Sequence, residues 1–168
     1  YQYGIFNWFL EKLGLPRISW LGDVEYGRWS IILVVVWSMV SYYVIIMLAA
    51  MQGIDSSYYE AARLDGASNR QMFFKITLPM LTPMIFFSVI MVTIGILQIF
   101  DFIYLMVDRD TLSYTYSMSL VTYFYECAFN KSSMRGYGAA ISVVLAAIIM
   151  VITIIQMIGK KYWVRSDL

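Results

Sequence analysis

Charge is what this sequence has least of. Of its 168 residues 14% are charged and 61% hydrophobic, where an average soluble domain is roughly 25% charged and about 45–50% apolar. So few charges could hardly cover the surface of a soluble domain of this size, and the mean hydropathy of +0.69 agrees. Histidine is absent, which excludes His-based acid/base chemistry, His metal sites and Ser-His-Asp triads from this chain. The one cysteine, Cys127, cannot form an intramolecular disulfide or a Cys-rich metal site and leaves the redox compartment open. Twelve Lys and Arg against eleven Asp and Glu leave a net charge of +1, which is no footprint for nucleic acid. The composition is that of a membrane protein.

Three uncharged windows carry that conclusion: 26 residues between Arg28 and Asp55, 25 between Lys75 and Asp101, and 24 between Arg135 and Lys160. A helix crosses the hydrocarbon layer with about 20 mainly apolar residues, each adding roughly 1.5 Å. All three windows are long enough with some tilt, and the spans are expected at about 29–51, 79–100 and 136–159. Pro79 suits the first turn of the second, where its missing N–H costs nothing. Tyr1 leads straight into Ile5-Phe6-Asn7-Trp8-Phe9-Leu10, which reads as interior sequence, so a fragment of a longer protein is expected.

Residues 1–28 combine an aromatic amphipathic stretch (Phe6, Phe9, Leu10, Leu13) with Gly14-Leu15-Pro16 and Trp20-Leu21-Gly22-Asp23. Trp8, Trp20 and Trp29 suit the headgroup level, where an indole buries its ring and keeps its N–H wet. An interfacial element and an ordinary connecting loop both fit. Residues 101–135 form a second long connection, in which Ser117–Phe129 places Leu120, Val121, Phe124 and Ala128 at helical spacing. That segment is too short to span, so it is interfacial or re-entrant. The third span closes on Lys160, Lys161 and Arg165. Lys and Arg in the loops do not orient the chain: 1–28 and 101–135 carry three each, and so do 52–78 and 160–168. Gly138, Ser142 and Ala146 recur every four residues on the third span, a small-residue face suited to close helix packing.

The connection 52–78 is the informative one. Ser57-x-x-Glu60 has the form of a capping box, in which hydroxyl and carboxylate each satisfy a free N–H. Ala61, Ala62, Arg63 and Leu64 favour helix, Gly66 suits a left-handed stop, and Ser68-x-x-Gln71 opens a second helix by the same device. That helix is expected to run through Phe73-Phe74-Lys75-Ile76 towards Leu78-Pro79. A short helix, a glycine corner and a second helix feeding a span make a rigid knob rather than a slack linker.

Glu60-Ala61-Ala62, three residues, Gly66, nine residues, then Ile76-x-Leu78-Pro79 resembles the EAA loop of permease subunits in binding-protein-dependent ABC importers. The flanks Gly14-Leu15-Pro16, Trp20-Leu21-Gly22-Asp23, Phe100-Asp101-Phe102-Ile103-Tyr104 and Gly136-Tyr137-Gly138-Ala139-Ala140 are similar to the carbohydrate-uptake branch, and within it to the first-permease type serving oligosaccharides and glycerol phosphate. The resemblance covers almost the whole chain. It implies an all-α membrane protein, the type I ABC importer transmembrane domain. About three spanning helices of a roughly six-helix subunit are present, so 1–168 is one permease domain, its C-terminal part. It also implies that 52–78 is a cytoplasmic coupling loop and 101–135 an external connection. Glu60, Ala61, Ala62, Gly66, Ile76, Leu78 and Pro79 would form the loop that docks on an ATPase subunit. The implied partners are two copies of that ATPase, a second permease subunit and an extracytoplasmic sugar-binding protein, in a bacterial plasma membrane crossed several times. For Glu60 a capping role and a partner contact stand side by side.

No catalytic residues, cofactor or metal are expected. The sequence contains no Gly-x4-Gly-Lys-Ser/Thr run to hold ATP, so ATP hydrolysis belongs to a partner. For a substrate path, Gly95, Gln98, Asp101 and Tyr104 fall three residues apart along the second span and its continuation. Polar groups at membrane depth usually face a bundle interior or a wet path. An amide, a carboxylate and an aromatic ring suit sugar, while hydration at the outer interface is the simpler account of Gln98 and Asp101. Tyr42 and Tyr43 are weaker candidates. The rival readings are an ABC permease for a non-sugar solute, an ion-driven secondary transporter, and a membrane-embedded enzyme. The last two usually carry ionisable groups within the spans, and the three windows hold none.

Overall fold

The structure is a computed structural model and describes residues 4–163. Among these residues it is helical with no strand. The elements are α1 (Ile5–Lys12), α2 (Val24–Gln52), α3 (Ser56–Leu64), α4 (Asn69–Met72), α5 (Leu78–Leu97), α6 (Asp101–Met106), α7 (Leu112–Ser117), α8 (Leu120–Tyr125) and α9 (Arg135–Trp163). A π-helical turn, Phe73–Thr77, joins α4 to α5, and a second, Glu126–Asn130, follows α8. Three helical stretches are long and apolar enough to cross a membrane: Val24–Gln52, Asn69–Leu97 and Ser132–Lys161. Of the basic cluster that follows the third, Lys160 and Lys161 fall in the last turn of α9, where cations complement the free carbonyls, and Arg165 lies outside the described residues.

The second stretch begins ten residues before Pro79, because α4, the π turn and α5 are continuous. A proline inside a helix lacks its N–H and crowds the carbonyl four residues back. The chain meets this at Pro79 with the preceding π turn, whose wider ring is closed by the Leu78 N–H on the Phe73 carbonyl. Pro83 follows within α5 and leaves the Pro79 carbonyl without its amide donor. The Thr82 hydroxyl replaces that donor, Oγ1 to the Pro79 oxygen at 2.6 Å.

The chain divides into two compact units, 1–38 with 95–147 and 39–94 with 148–168. In the first, the core comprises Ile31, Val35, Ile103, Val107, Tyr114, Cys127 and Leu145. Asn7, 2% exposed, folds the segment after α1 back on itself. Its amide donates to the Ile18 carbonyl (2.8 Å), and its oxygen accepts from the Ile18 N–H (3.1 Å) and the Trp20 indole (3.0 Å). Ile5, Phe6, Phe9 and Leu13 on α1 are exposed. Gly138 packs against the Ala128 backbone, about 3.1 Å from where a Cβ would stand. In the small-residue face of the third span, then, Gly138 meets another part of this chain while Ala146 is exposed.

The expected segment Ser117–Phe129 is not one helix. Ser117 ends α7, Ser119 caps α8, and the π turn completes the run. Ser119 Oγ accepts from the Thr122 N–H (3.0 Å) and donates to the Ile99 carbonyl (2.5 Å), a group released where α5 ends. In the second unit the buried residues are Met72, Thr77, Leu81, Phe86 and Ser88, and Gln156 donates to Thr93 Oγ1 at 2.8 Å, an amide–hydroxyl link of the kind that joins apolar helices.

Candidate docking site

The α3–α4 corner is assembled from local signals. Asp55, in extended backbone geometry, caps α3 by accepting from the Ser57 N–H at 2.9 Å. That N–H holds its carboxyl below the usual carboxylate range, the proton being costly to add to an occupied acceptor. The cap therefore differs from the Ser57-x-x-Glu60 box read from the sequence. With Asp55 as cap the helix starts at Ser56, which moves Glu60 beyond the third position, where a box needs it. The exposed Glu60 carboxylate instead receives the Ser56 hydroxyl at 3.4 Å.

At the other end Gly66 adopts φ +75°, and both bonds of a glycine stop are present. The Gly66 N–H reaches the Arg63 carbonyl (3.0 Å) and the Ala67 N–H the Ala62 carbonyl (2.9 Å). Ser68 and Gln71 then form the expected capping box of α4.

The corner exposes Glu60, Ala61 and Gly66 and leaves Ala62 and Ile76 half-buried, with Leu78 and Pro79 half-buried at the start of α5. Leu64 is 90% exposed at the tip of α3. Beside it lies a cleft of about 370 Å³ lined by Ala62, Asp65, Gly66, Ala67, Gln71, Met72, Lys75 and Ile76. An apolar tip, small side chains and an adjoining cleft give a partner surface both a knob and a socket. The sequence marks Leu64 only as a helix former; its place just before the Gly66 stop is the signal for the tip.

The substrate-path candidates are not brought onto one stripe. Helix α5 ends at Leu97 and α6 starts at Asp101, with Phe100 between them at φ −136°, so three-residue spacing does not carry Gly95, Gln98, Asp101 and Tyr104 along one helical face. Gln98 and Asp101 are exposed. Tyr104 enters an aromatic cluster: it stacks on Phe100 at 4.8 Å between ring centroids and meets Tyr125 at 5.0 Å, with the Arg109 guanidinium 4.0 Å from its ring. Tyr42 and Tyr43 pack edge to face against each other.

The same unit holds a polar link that sequence reading missed. The Tyr114 hydroxyl donates to Glu126 Oε1 and the Asn130 amide to Oε2, both at 2.8 Å. Burial, with the Glu126 bond and charge, pushes the Tyr114 phenol up to about 12. Desolvation raises the Glu126 carboxyl, but the bonds from Asn130 and Tyr114 and the charges of Arg109 and Lys131 outweigh it, so it settles below its usual value. Spacing of four marks Glu126 with Asn130, but nothing local marks Tyr114.

Residues 4–162 match the family described as binding-protein-dependent transport system inner membrane component. The chain belongs to that family: it is an all-α membrane protein with the fold of ABC importer permeases. Among its relatives are the trehalose/maltose transport system permease protein MalF of Thermococcus litoralis, 35% identical over 94% of this chain and 52% of that protein, and a putative ABC transporter permease protein of Caldicellulosiruptor, 38% identical over 78% of this chain and 89% of that one. The crystal structure of a bacterial alginate ABC transporter, in complex with an alginate pentasaccharide-bound periplasmic protein, contains a chain that superposes with a TM-score of 0.83. That chain is 27% identical, over 95% of this chain and 55% of its own length. The chain spans about half the length of the first curated relatives it matches.

Proposed function

We propose that this chain is the C-terminal part of a permease subunit of an ATP-driven carbohydrate importer. In this reading 52–78 is cytoplasmic, 101–135 is external, and the spans at about 29–51, 79–100 and 136–159 line part of a path through a bacterial plasma membrane. The observation that carries it is the α3–α4 corner: Glu60, Ala61, Ala62 and Gly66 stand on an exposed helix and its stop, followed by Ile76, Leu78 and Pro79 at the base of a spanning helix. Carbohydrate as cargo is supported by relatives named for trehalose/maltose, lactose and arabinooligosaccharides.

The subunit hydrolyses nothing itself. One of two ATPase subunits docks on the corner, the pair closes on ATP and reopens after hydrolysis, and α3, stiff over its nine residues, passes the movement to the spans. A second permease completes the path and an extracytoplasmic sugar-binding protein delivers cargo. Gln98 and Asp101, both exposed, and the Tyr104 ring are the proposed sugar contacts at its outer end. The test is uptake of trehalose, maltose, lactose and an arabinotriose into vesicles holding the full-length permease, its companion, the ATPase and the binding protein, leaving out one component at a time. Uptake of at least one sugar that stops on each omission is expected. Uptake without the ATPase or without the companion overturns the reading.

A further inference from the structure

Helix α3 and the base of α5 are joined by one polar contact that the docking motif does not include. Tyr59 Oη and Thr77 Oγ1 lie 2.8 Å apart, bridging 18 residues of sequence. Thr77 is 4% exposed and Tyr59 half-buried, so the bond is partly screened from water, which strengthens it. Its position is mechanically specific. Thr77 is the last residue of the π turn, and Pro79 follows two residues later. A π turn holds one extra residue in the helical register, and the proline ring bars the carbonyl four residues back from an ordinary helical bond. The insertion is thus fixed on its C-terminal side and gripped at its end by Tyr59.

We propose that the Tyr59–Thr77 hydrogen bond makes Tyr59 and Thr77 positioning residues, through which displacement of α3 turns the base of α5 at the π turn. Without the bond, α3 keeps the Gly66 corner and the packing of Ala62 beside Met72 and Ile76, a looser connection in which α3 moves without carrying the span to the same extent. The proposal rests on the docking reading of α3 and adds to it the route by which movement leaves the loop.

The test uses the full-length permease assembled with its ATPase, in a background where every cysteine, Cys127 included, is replaced by Ser, with spin labels at Ser57→Cys on α3 and Phe87→Cys on α5. Distances between the labels are measured without nucleotide and after trapping with ATP and vanadate. With the bond intact, the two labels move together and one distance population persists in both states. Tyr59→Phe or Thr77→Val removes about a two- to ten-fold preference for the linked arrangement, so a second population emerges in the trapped state only, while Thr77→Ser restores a single one. One unchanged population in both bond-deleting variants, in complexes that still hydrolyse ATP, overturns the proposal. Loss of assembled complex in both Tyr59→Phe and Thr77→Val overturns it too, since the pair is then a folding contact, and so does a second trapped-state population in Thr77→Ser. Failure of the docking reading looks different: the parent permease neither retains the ATPase nor changes the mobility of the Ser57 label with nucleotide.

Discussion

Replacing Gly66 tests the corner without touching its contacts. Gly66 holds φ +75°, and a Cβ built there meets nothing within 4 Å. The cost of a side chain is therefore backbone strain alone, about 1–2 kcal/mol for an ordinary L-residue in the left-handed region and more for a β-branched one. A change of that size alters the balance between the closed and opened corner by a factor of about 5–30. Opening also releases the Gly66 and Ala67 N–H bonds to Arg63 and Ala62. The expected order of damage is Asn, then Ala, then Val, because Asn tolerates this region best. Gly14 supplies the control, since it holds φ +73° with equally open space around it but lies in the other compact unit. Two readings are needed on reconstituted complexes: amide hydrogen exchange at Gly66 and Ala67, and sugar moved per ATP hydrolysed. Gly66→Val should lose protection and coupling together, while Gly14→Val keeps coupling per assembled complex. A Gly66→Val complex that moves as much sugar per ATP as the parent refutes the role given to the corner.

Thr82→Val should lower stability in detergent by about 1–3 kcal/mol, because it leaves the Pro79 carbonyl without a donor among apolar neighbours; Thr82→Ser should melt like the parent. Asn7→Ala removes bonds to both backbone groups of Ile18 and to the Trp20 indole and should cost about 2–4 kcal/mol in chemical unfolding. For Asp55 the folded carboxyl lies below its free value of 3.8, so its contribution to α3 is complete above that value and fades as pH falls through the folded one. Exchange of the α3 amides should accelerate, relative to the intrinsic rate, on acidification in the parent, and Asp55→Asn should remove that pH dependence.

Much of this protein is local and therefore legible in its residues. A run free of charge and long enough to cross a bilayer needs no knowledge of the rest of the chain, and each of the three runs falls for most of its length within a continuous helical stretch. The Ser68–Gln71 box and the Gly66 stop follow from groups three to five residues apart, distances that backbone geometry sets by itself. Where two local signals compete, sequence reading follows the wrong one. Ser57 is expected to cap α3, with the Glu60 carboxylate returning to its N–H; the Asp55 carboxylate takes that N–H instead and caps the helix two residues earlier.

The remaining features depend on chain path. Tyr59 meets Thr77 across 18 residues, Tyr114 meets Glu126 across 12, and Asn7 reaches Trp20 across 13; no period or motif encodes such pairs, because their separation is fixed only once the intervening turns are folded. The same holds for the second span, whose uncharged run is continuous in sequence although its helix stops at Leu97 and restarts at Asp101. Hydropathy records how apolar a residue is. It does not record where the Ile99 carbonyl, released at that break, finds the Ser119 hydroxyl, and that contact belongs to the tertiary structure.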